Sequence, residues 1–492
     1  MLNRTLRLLI AITLLAACAP ARAAGESERW YVLLMQGQRV GHMHETTTEV
    51  DGATVSRMRM EMSIGRGSAK VTAAFGAEFI ETADHRPVSM RSVQALGSAP
   101  TEKFYEFGAG GVRLVETQGG RTTERTLPLP EGEWLTPGGA AARFERLVDA
   151  GETEFSITSI DPTAGLVPVE TVYTIVGERN VEAFGKVVPA LEATMRSNLQ
   201  PGVVTTVFTN DAGEIIRSET DMGGLSLTVL LSEREIALSP VEPVELVAST
   251  LVTPNRPIER PRAAMKARYL LKGAGLPELP HTSAQWSERF GDEEHVTVDV
   301  RRRSEARPED LEDPKYREPT GAVDAADPAI VALTEQALDG VGGSDAERAE
   351  ALRRFVHAYI DEKSLGVGFA TASEVCRTRE GDCSEHAVLL AAMLRAAGIP
   401  SRVATGLIYA EEFVGKRGVF GYHVWTQALI ALDGKPVWMD YDATLPDAVP
   451  FDATHIALST SALSEGDTLN AMSAIAGVLG NLRIEVTSVS YD

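Results

Sequence analysis

At 492 residues the chain is several times the size of an ordinary domain, so two or three separate cores are expected. A hydrophobic fraction of 44% with 24% charged residues is ordinary for globular protein. The net charge of −22 excludes a nucleic-acid binder, because no basic surplus is available to displace counterions from phosphates.

Residues 1–23 read as an export signal: Arg4 and Arg7 give a positive start, residues 8–17 are apolar, and small residues follow. The stretch is too short for a membrane anchor, and no later segment is apolar enough to span a bilayer. Two cleavage readings stand open. Ala21-Arg22-Ala23 fits an A-x-A site. Leu15-Ala16-Ala17-Cys18 resembles a bacterial lipobox, which would end the signal at residue 17 and attach the protein to a membrane through a lipidated Cys18. Either reading places the protein outside the cytoplasm, in the periplasm or cell envelope. Three cysteines, one of them in the signal, are too few for a disulfide framework.

Residues 24–238 alternate strand-like runs with turn signals. Residues 203–209, then Asn210-Asp211-Ala212-Gly213, then residues 214–217 are one example, and Asp51-Gly52, Gly110-Gly111, Gly119-Gly120 and Gly223-Gly224 punctuate the rest. A large antiparallel β domain is expected. Residues 239–303 carry five prolines up to Pro261, then a strand-like pair at 267–271 and 296–300, as a connector with a small β unit would. Within it, Arg301-Arg302-Arg303 lies beside Glu305 and reads as a solvated strand end. Residues 304–326 are rich in proline and acid with few large apolar groups, which predicts an exposed linker. Helices follow. Asp327 caps one with Pro328 in its first turn, and Ser344-x-x-Glu347 is a capping box leading into 349–359. A second domain over 327–456 and a C-terminal extension over 457–492 complete the division.

The chemistry concentrates in Gly381-Asp382-Cys383-Ser384-Glu385-His386. Gly381 and Asp382 are helix-start residues, Leu389, Leu390, Met393, Leu394 and Ala397 make an apolar face, and Gly398 with Pro400 ends the helix. Cys383 therefore falls in the first helical turn. The dipole and unpaired N–H groups there favour a thiolate and can hold an oxyanion. A base is available on a strand containing Gly421-Tyr422-His423-Val424-Trp425, whose return strand is 436–442. Asp433-Gly434 is a two-residue hairpin turn that pairs Leu432 with Lys435, so opposed residue numbers sum to 867. On that register Asp442 lies opposite Trp425 and diagonal to His423, roughly 7–8 Å away at the backbone. Asp440 shares the face but pairs with Gln427, roughly 13 Å along the strand from His423, and is the weaker orienter.

Gly381-Asp382-Cys383, Ala397-Gly398-Ile399-Pro400, His423-Val424-Trp425, Trp438 and Asp442-Ala443-Thr444 together resemble the bacterial transglutaminase-like superfamily over about residues 328–456. Ala443 stands where that family more often has proline. The resemblance implies a papain-like α+β core with the cysteine on a helix and the His and Asp on sheet strands. The whole chain is then α+β, a large antiparallel β domain followed by that core. It also implies a triad of Cys383, His423 and Asp442 that attacks a protein or peptide amide through an acyl-thioester on Cys383. Water as acceptor gives a peptidase or amidase, an amine gives a cross-link, and hydrolysis is preferred.

An arylamine-type acetyltransferase uses the same triad, but export away from acetyl-CoA counts against it. The competing class is a non-catalytic envelope binding or scaffold protein in which the β domain carries the function. No cofactor or metal is expected: Cys376 and Cys383 lack zinc spacing, and His42-x-His44 lacks further ligands. Cys376 reads either as an incidental thiol or as a redox partner of Cys383. His386, on the turn of Cys383, reads as packing, and Trp425, Trp438 and Tyr422 read as core aromatics beside the site.

Overall fold

The strand-and-turn pattern up to residue 238 folds as an antiparallel meander. The computed structural model describes residues 27–492 except 67–68, 96–99, 119–120, 184, 212, 222–225, 242–243, 246–249, 274–275, 363–369, 465–477 and 479. Eight consecutive strands, from Ser27–Met35 to Arg121–Leu127, pair each with the next, and six more, from Glu154–Ile160 to Ser226–Ser232, do the same. The last of these pairs with the first, Trp30 opposite Ser232 and Met35 opposite Leu227, which joins both runs into one sheet. Asp51-Gly52 makes the expected two-residue hairpin, with φ of 52° and 77°, the positive values such a turn requires. A helix at Pro137–Asp149, capped by Thr136, lays Phe144 against Ile157, Tyr173 and Met195. The export signal, Cys18, Gly119-Gly120 and Gly223-Gly224 lie outside the described residues.

The chain divides into two compact units, one drawn from the chain up to Val244 and the other chiefly Glu245–Asp492. The division falls within the proline-rich stretch that begins at residue 239, after Pro240 and Pro243, instead of at 304–326. The physical reason is strand pairing over long separations. Lys266–Lys272 pairs on one side with Glu293–Asp299 and on the other with Arg483–Ser490. A second sheet runs in the order Lys435–Tyr441, Lys416–Leu432, Ser401–Phe413, His455–Ser461. The last stretch of the chain is therefore no appendage, since it supplies an edge strand to each sheet.

Residues 304–326 pack against this unit and do not form an exposed linker. The Trp438 ring meets Tyr316 edge-on at 4.9 Å and donates from Nε1 to Asp310 Oδ2 at 3.0 Å. Arg395 Nη1 donates to the Glu318 carbonyl at 2.8 Å, and Val323 is buried in the helical core. A few apolar side chains are enough for a segment that covers an existing core on one side and faces water on the other.

The helix at Cys383–Ala396 is buried from Ser384 to Arg395, not only along the expected apolar face. Helices Pro328–Ala337, Asp345–Tyr359 and Ala372–Thr378 pack against it, as do strands Ser401–Phe413 and Lys416–Leu432. Burial of Leu389, Leu390, Met393 and Leu394 stabilises the arrangement by roughly 1.5–3 kcal/mol per side chain. Thr426 Oγ1 also donates to the Ala387 carbonyl at 2.9 Å, which fixes the first turns of the helix to the strand carrying His423.

Candidate active site

The cysteine sits where the chain turns around a buried carboxyl. Asp382 caps the helix, its Oδ1 accepting from the Ser384 N–H and Oγ–H, both at 2.9 Å. Glu385 completes a capping box, Oε2 accepting from the Asp382 N–H at 3.0 Å, while Oε1 accepts from the Ala370 N–H at 3.2 Å. Burial, with Asp382 adding to it, pushes the Glu385 carboxyl up to about 8. A Cβ at Gly381 would overlap Cβ and Cγ of Glu385, so only glycine permits this path. Cys383 is the first residue of the helix, a half-buried free thiol. The Ser384 N–H is already engaged by Asp382, which narrows the set of first-turn donors open to an oxyanion.

The hairpin has the expected register, from Leu432 opposite Lys435 to Thr426 opposite Tyr441. Asp433 and Gly434 turn with φ of 51° and 77°. Asp442 follows the paired residues directly, and its Oδ2 accepts from His423 Nε2 at 2.7 Å. His423 lies near enough to the Cys383 side chain for the two to interact electrostatically. Burial opposes charge on His423, but Asp442 and Cys383 outweigh it and hold the imidazole up at about 10. Burial likewise opposes charge on Asp442, and His423 with His455 outweigh it, holding the carboxyl well below the usual range. Asp440 is turned to other work: its Oδ1 accepts from Trp425 Nε1 at 2.8 Å and Gln427 Nε2 at 2.6 Å.

Further residues join this network whose part in it was not read from the sequence. Thr444 donates to Asp442 Oδ1 from N–H at 2.8 Å and from Oγ1 at 2.6 Å. His455 Nε2 lies 3.2 Å from Asp442 Oδ2, the oxygen that His423 uses. Its Nδ1 is 3.0 Å from the Asp452 carbonyl and 3.5 Å from Asp452 Oδ1, and Asp452 Oδ2 pairs with Arg262 Nη1 at 2.5 Å. Asp442-x-Thr444 and Asp452-x-Thr454 repeat one pattern, an aspartate accepting from N–H and Oγ1 of a threonine two residues on. That repeat was the available sequence signal.

Among the described residues, His423, Asp442 and His455 are the group whose donor atoms, within 4.8 Å of one another, could gather around a cation. The separations of 2.7 and 3.2 Å are hydrogen-bond lengths. His386 is buried and faces the Asp382 carbonyl through Nδ1 at 2.6 Å. Cys376 is a buried free thiol in the helical core, pushed up by burial. Trp425, Trp438 and Tyr422 are core residues. His42 and His44 stack on Trp30, with His44 also paired to Glu28. Arg301 and Arg303 help line a cavity of about 500 Å³ that reaches Asp440 and Asp442 but not Cys383 or His423.

Residues 333–443 match the Transglutaminase-like superfamily. Among solved structures, a candidate cysteine protease from Cytophaga hutchinsonii is 17% identical, covering 46% of this chain and 91% of that one with a TM-score of 0.30. A β-barrel-like protein of unknown function from Brucella abortus is 13% identical, covering 43% and 98% with a TM-score of 0.33. A candidate protease from Parabacteroides distasonis is 13% identical, covering 79% and 64% with a TM-score of 0.19. No curated protein sequence matches the chain.

Proposed function

We propose that this transglutaminase-like domain is an exported cysteine hydrolase of protein or peptide amides, with Cys383 as nucleophile, His423 as acid and base, and Asp442 as the group that orients His423. One observation carries the reading: a helix-start thiol interacts with a buried imidazole whose Nε2 is held at 2.7 Å by a buried carboxylate. A scaffold has no need of these three side chains in that order. In the proposed cycle the Cys383 sulfur attacks the amide carbon, with the Cys383 N–H assigned to the developing oxyanion. The His423 imidazolium protonates the leaving amine. Water then attacks the thioester, giving a proton to His423 and releasing the acid. An amine in place of water would give a cross-link, and product analysis with and without an added amine separates the two.

Export rests on residues 1–23, and membrane attachment on Cys18. Replacing Cys18 by Ala and following membrane fractionation tests the second. Unchanged partition would leave ordinary secretion.

The reading is tested by iodoacetamide labelling of the mature protein across pH, with Cys383→Ala and His423→Ala alongside. Rapid alkylation confined to Cys383, persisting into acid and slowed by loss of His423, supports it. Labelling of Cys383 that is slow and indifferent to His423 overturns it and favours the non-catalytic envelope module.

A further inference from the structure

We infer that His455 is a positioning residue for the proposed Cys383–His423 pair, acting as a second imidazole on the Asp442 carboxylate that limits how strongly Asp442 holds a proton on His423. The inference rests on the reading of Cys383 as a nucleophile. Its basis is the way Asp442 is used. Oδ1 accepts from Thr444 twice, and Oδ2 is shared between His423 Nε2 at 2.7 Å and His455 Nε2 at 3.2 Å. Four donors fill the acceptor capacity of a carboxylate.

His455 is fully buried and faces acceptors from both ring nitrogens, Asp442 through Nε2 and Asp452 through Nδ1. A neutral imidazole has one N–H and could satisfy only one of them, so the geometry calls for the doubly protonated cation. Arg262 balances Asp452, and Thr454 fills its Oδ1 from N–H and Oγ1. The remaining neighbours are Asp440, which faces His455 electrostatically, the His423 ring at 5.8 Å, and the Trp425 and Phe451 rings at 5.3 and 4.2 Å. From His423 outward the charges alternate through Asp442, His455, Asp452 and Arg262. A cation at 5.8 Å, drawing on the same carboxylate oxygen, makes the His423 imidazolium a stronger acid than Asp442 alone would. That suits a group that must hand its proton to a leaving amine and accept one from water.

The test is the pH profile of Cys383 alkylation in the full mature chain, using iodoacetamide, for wild type, His423→Ala, His455→Gln and His455→Leu, with thermal melts to confirm folding. His455→Gln keeps an N–H donor but removes the charge, and should move the upper inflection, where His423 loses its proton, upward by about one pH unit with little change in the acid plateau. His455→Leu should move it as far and also lower the plateau several-fold, because orientation is lost as well. Folded variants with the wild-type upper inflection would overturn the inference while leaving the triad intact. A wild type without any His423-dependent inflection would instead remove the nucleophile reading. Wild-type protein with isotope-labelled histidine gives an answer that needs no folded variant. His455 should keep both ring protons at neutral pH, and a single neutral tautomer there would overturn the inference.

Discussion

Trp425 and Asp440 are joined by a 2.8 Å bond from indole Nε1 to Oδ1, and that bond decides which of two aspartates serves His423. With Gln427 also on Oδ1, Asp440 is fixed in place, whereas Asp442 directs Oδ2 at the imidazole. Asp442→Asn should therefore cut the reactivity of Cys383 at acidic pH and lower turnover, once a substrate is known, by up to about 10⁴-fold. Asp440→Asn should leave the alkylation profile in place and cost stability instead, about 1–3 kcal/mol for disturbed buried hydrogen bonds. Equal loss of reactivity in both variants would contradict this division of labour.

Glu385 makes a separate prediction, with a definite sign. Its carboxyl is held at about 8 in the folded protein against an ordinary value of 4.5, so the folded state binds more protons than the unfolded state between those limits. Wild-type stability must then fall as pH rises through that window. Glu385→Gln cannot ionise, and the hydrogen bond it forfeits to Ala370 or Asp382 is independent of pH. Urea melts at pH 4.5, 6.5 and 8.5 should find the variant gaining on wild type at each step. A constant difference across the series would mean that Glu385 is not protonated in the fold.

The two remaining described thiols should differ sharply. Cys376 lies in the helical core, with burial disfavouring its thiolate, and Cys383 is half-buried beside an imidazole. Native labelling should modify Cys383 first, and denaturation in urea should bring the two rates together. Fast native labelling of Cys376 would mean that the packing between Ala372–Thr378 and Cys383–Ala396 opens readily.

Local signals were legible where chain neighbours make the structure. Asp382 before an apolar run marks the start of the cysteine helix, and Asp433-Gly434 sets the hairpin register because a two-residue turn leaves one pairing. His455 was not legible. Its strand reaches the site by pairing with Ser401–Phe413, the neighbour of the His423 strand, and no turn ties those strands in register. Residues 304–326 were misread for a related reason: Tyr316 and Val323 are isolated in sequence and become core only against Trp438 and the helices. The fully wrapped cysteine helix likewise depends on three other helices whose placement no periodicity discloses.

Gly406 links the fold to the network through His455. It pairs with His423 on one side and Ala457 on the other, where the ladder shifts register between Thr405 and Gly406. A Cβ at 406 would overlap the Ile456 carbonyl and crowd Ala457 Cα, so the backbones approach closely only because the residue is glycine. Gly406→Ala must push away the strand His455–Ser461, beginning with the residue next to His455. A stability loss of about 1–3 kcal/mol is expected from the overpacking. The same displacement should loosen the 3.2 Å contact of His455 with Asp442 while leaving the hairpin that carries His423 and Asp442 in register. The alkylation profile of Gly406→Ala should therefore shift in the direction of His455→Gln, with an upper inflection above that of wild type. A variant that loses stability but keeps the wild-type profile would show that the strand can give way without carrying His455 along, and would separate the packing role of Gly406 from the charge network.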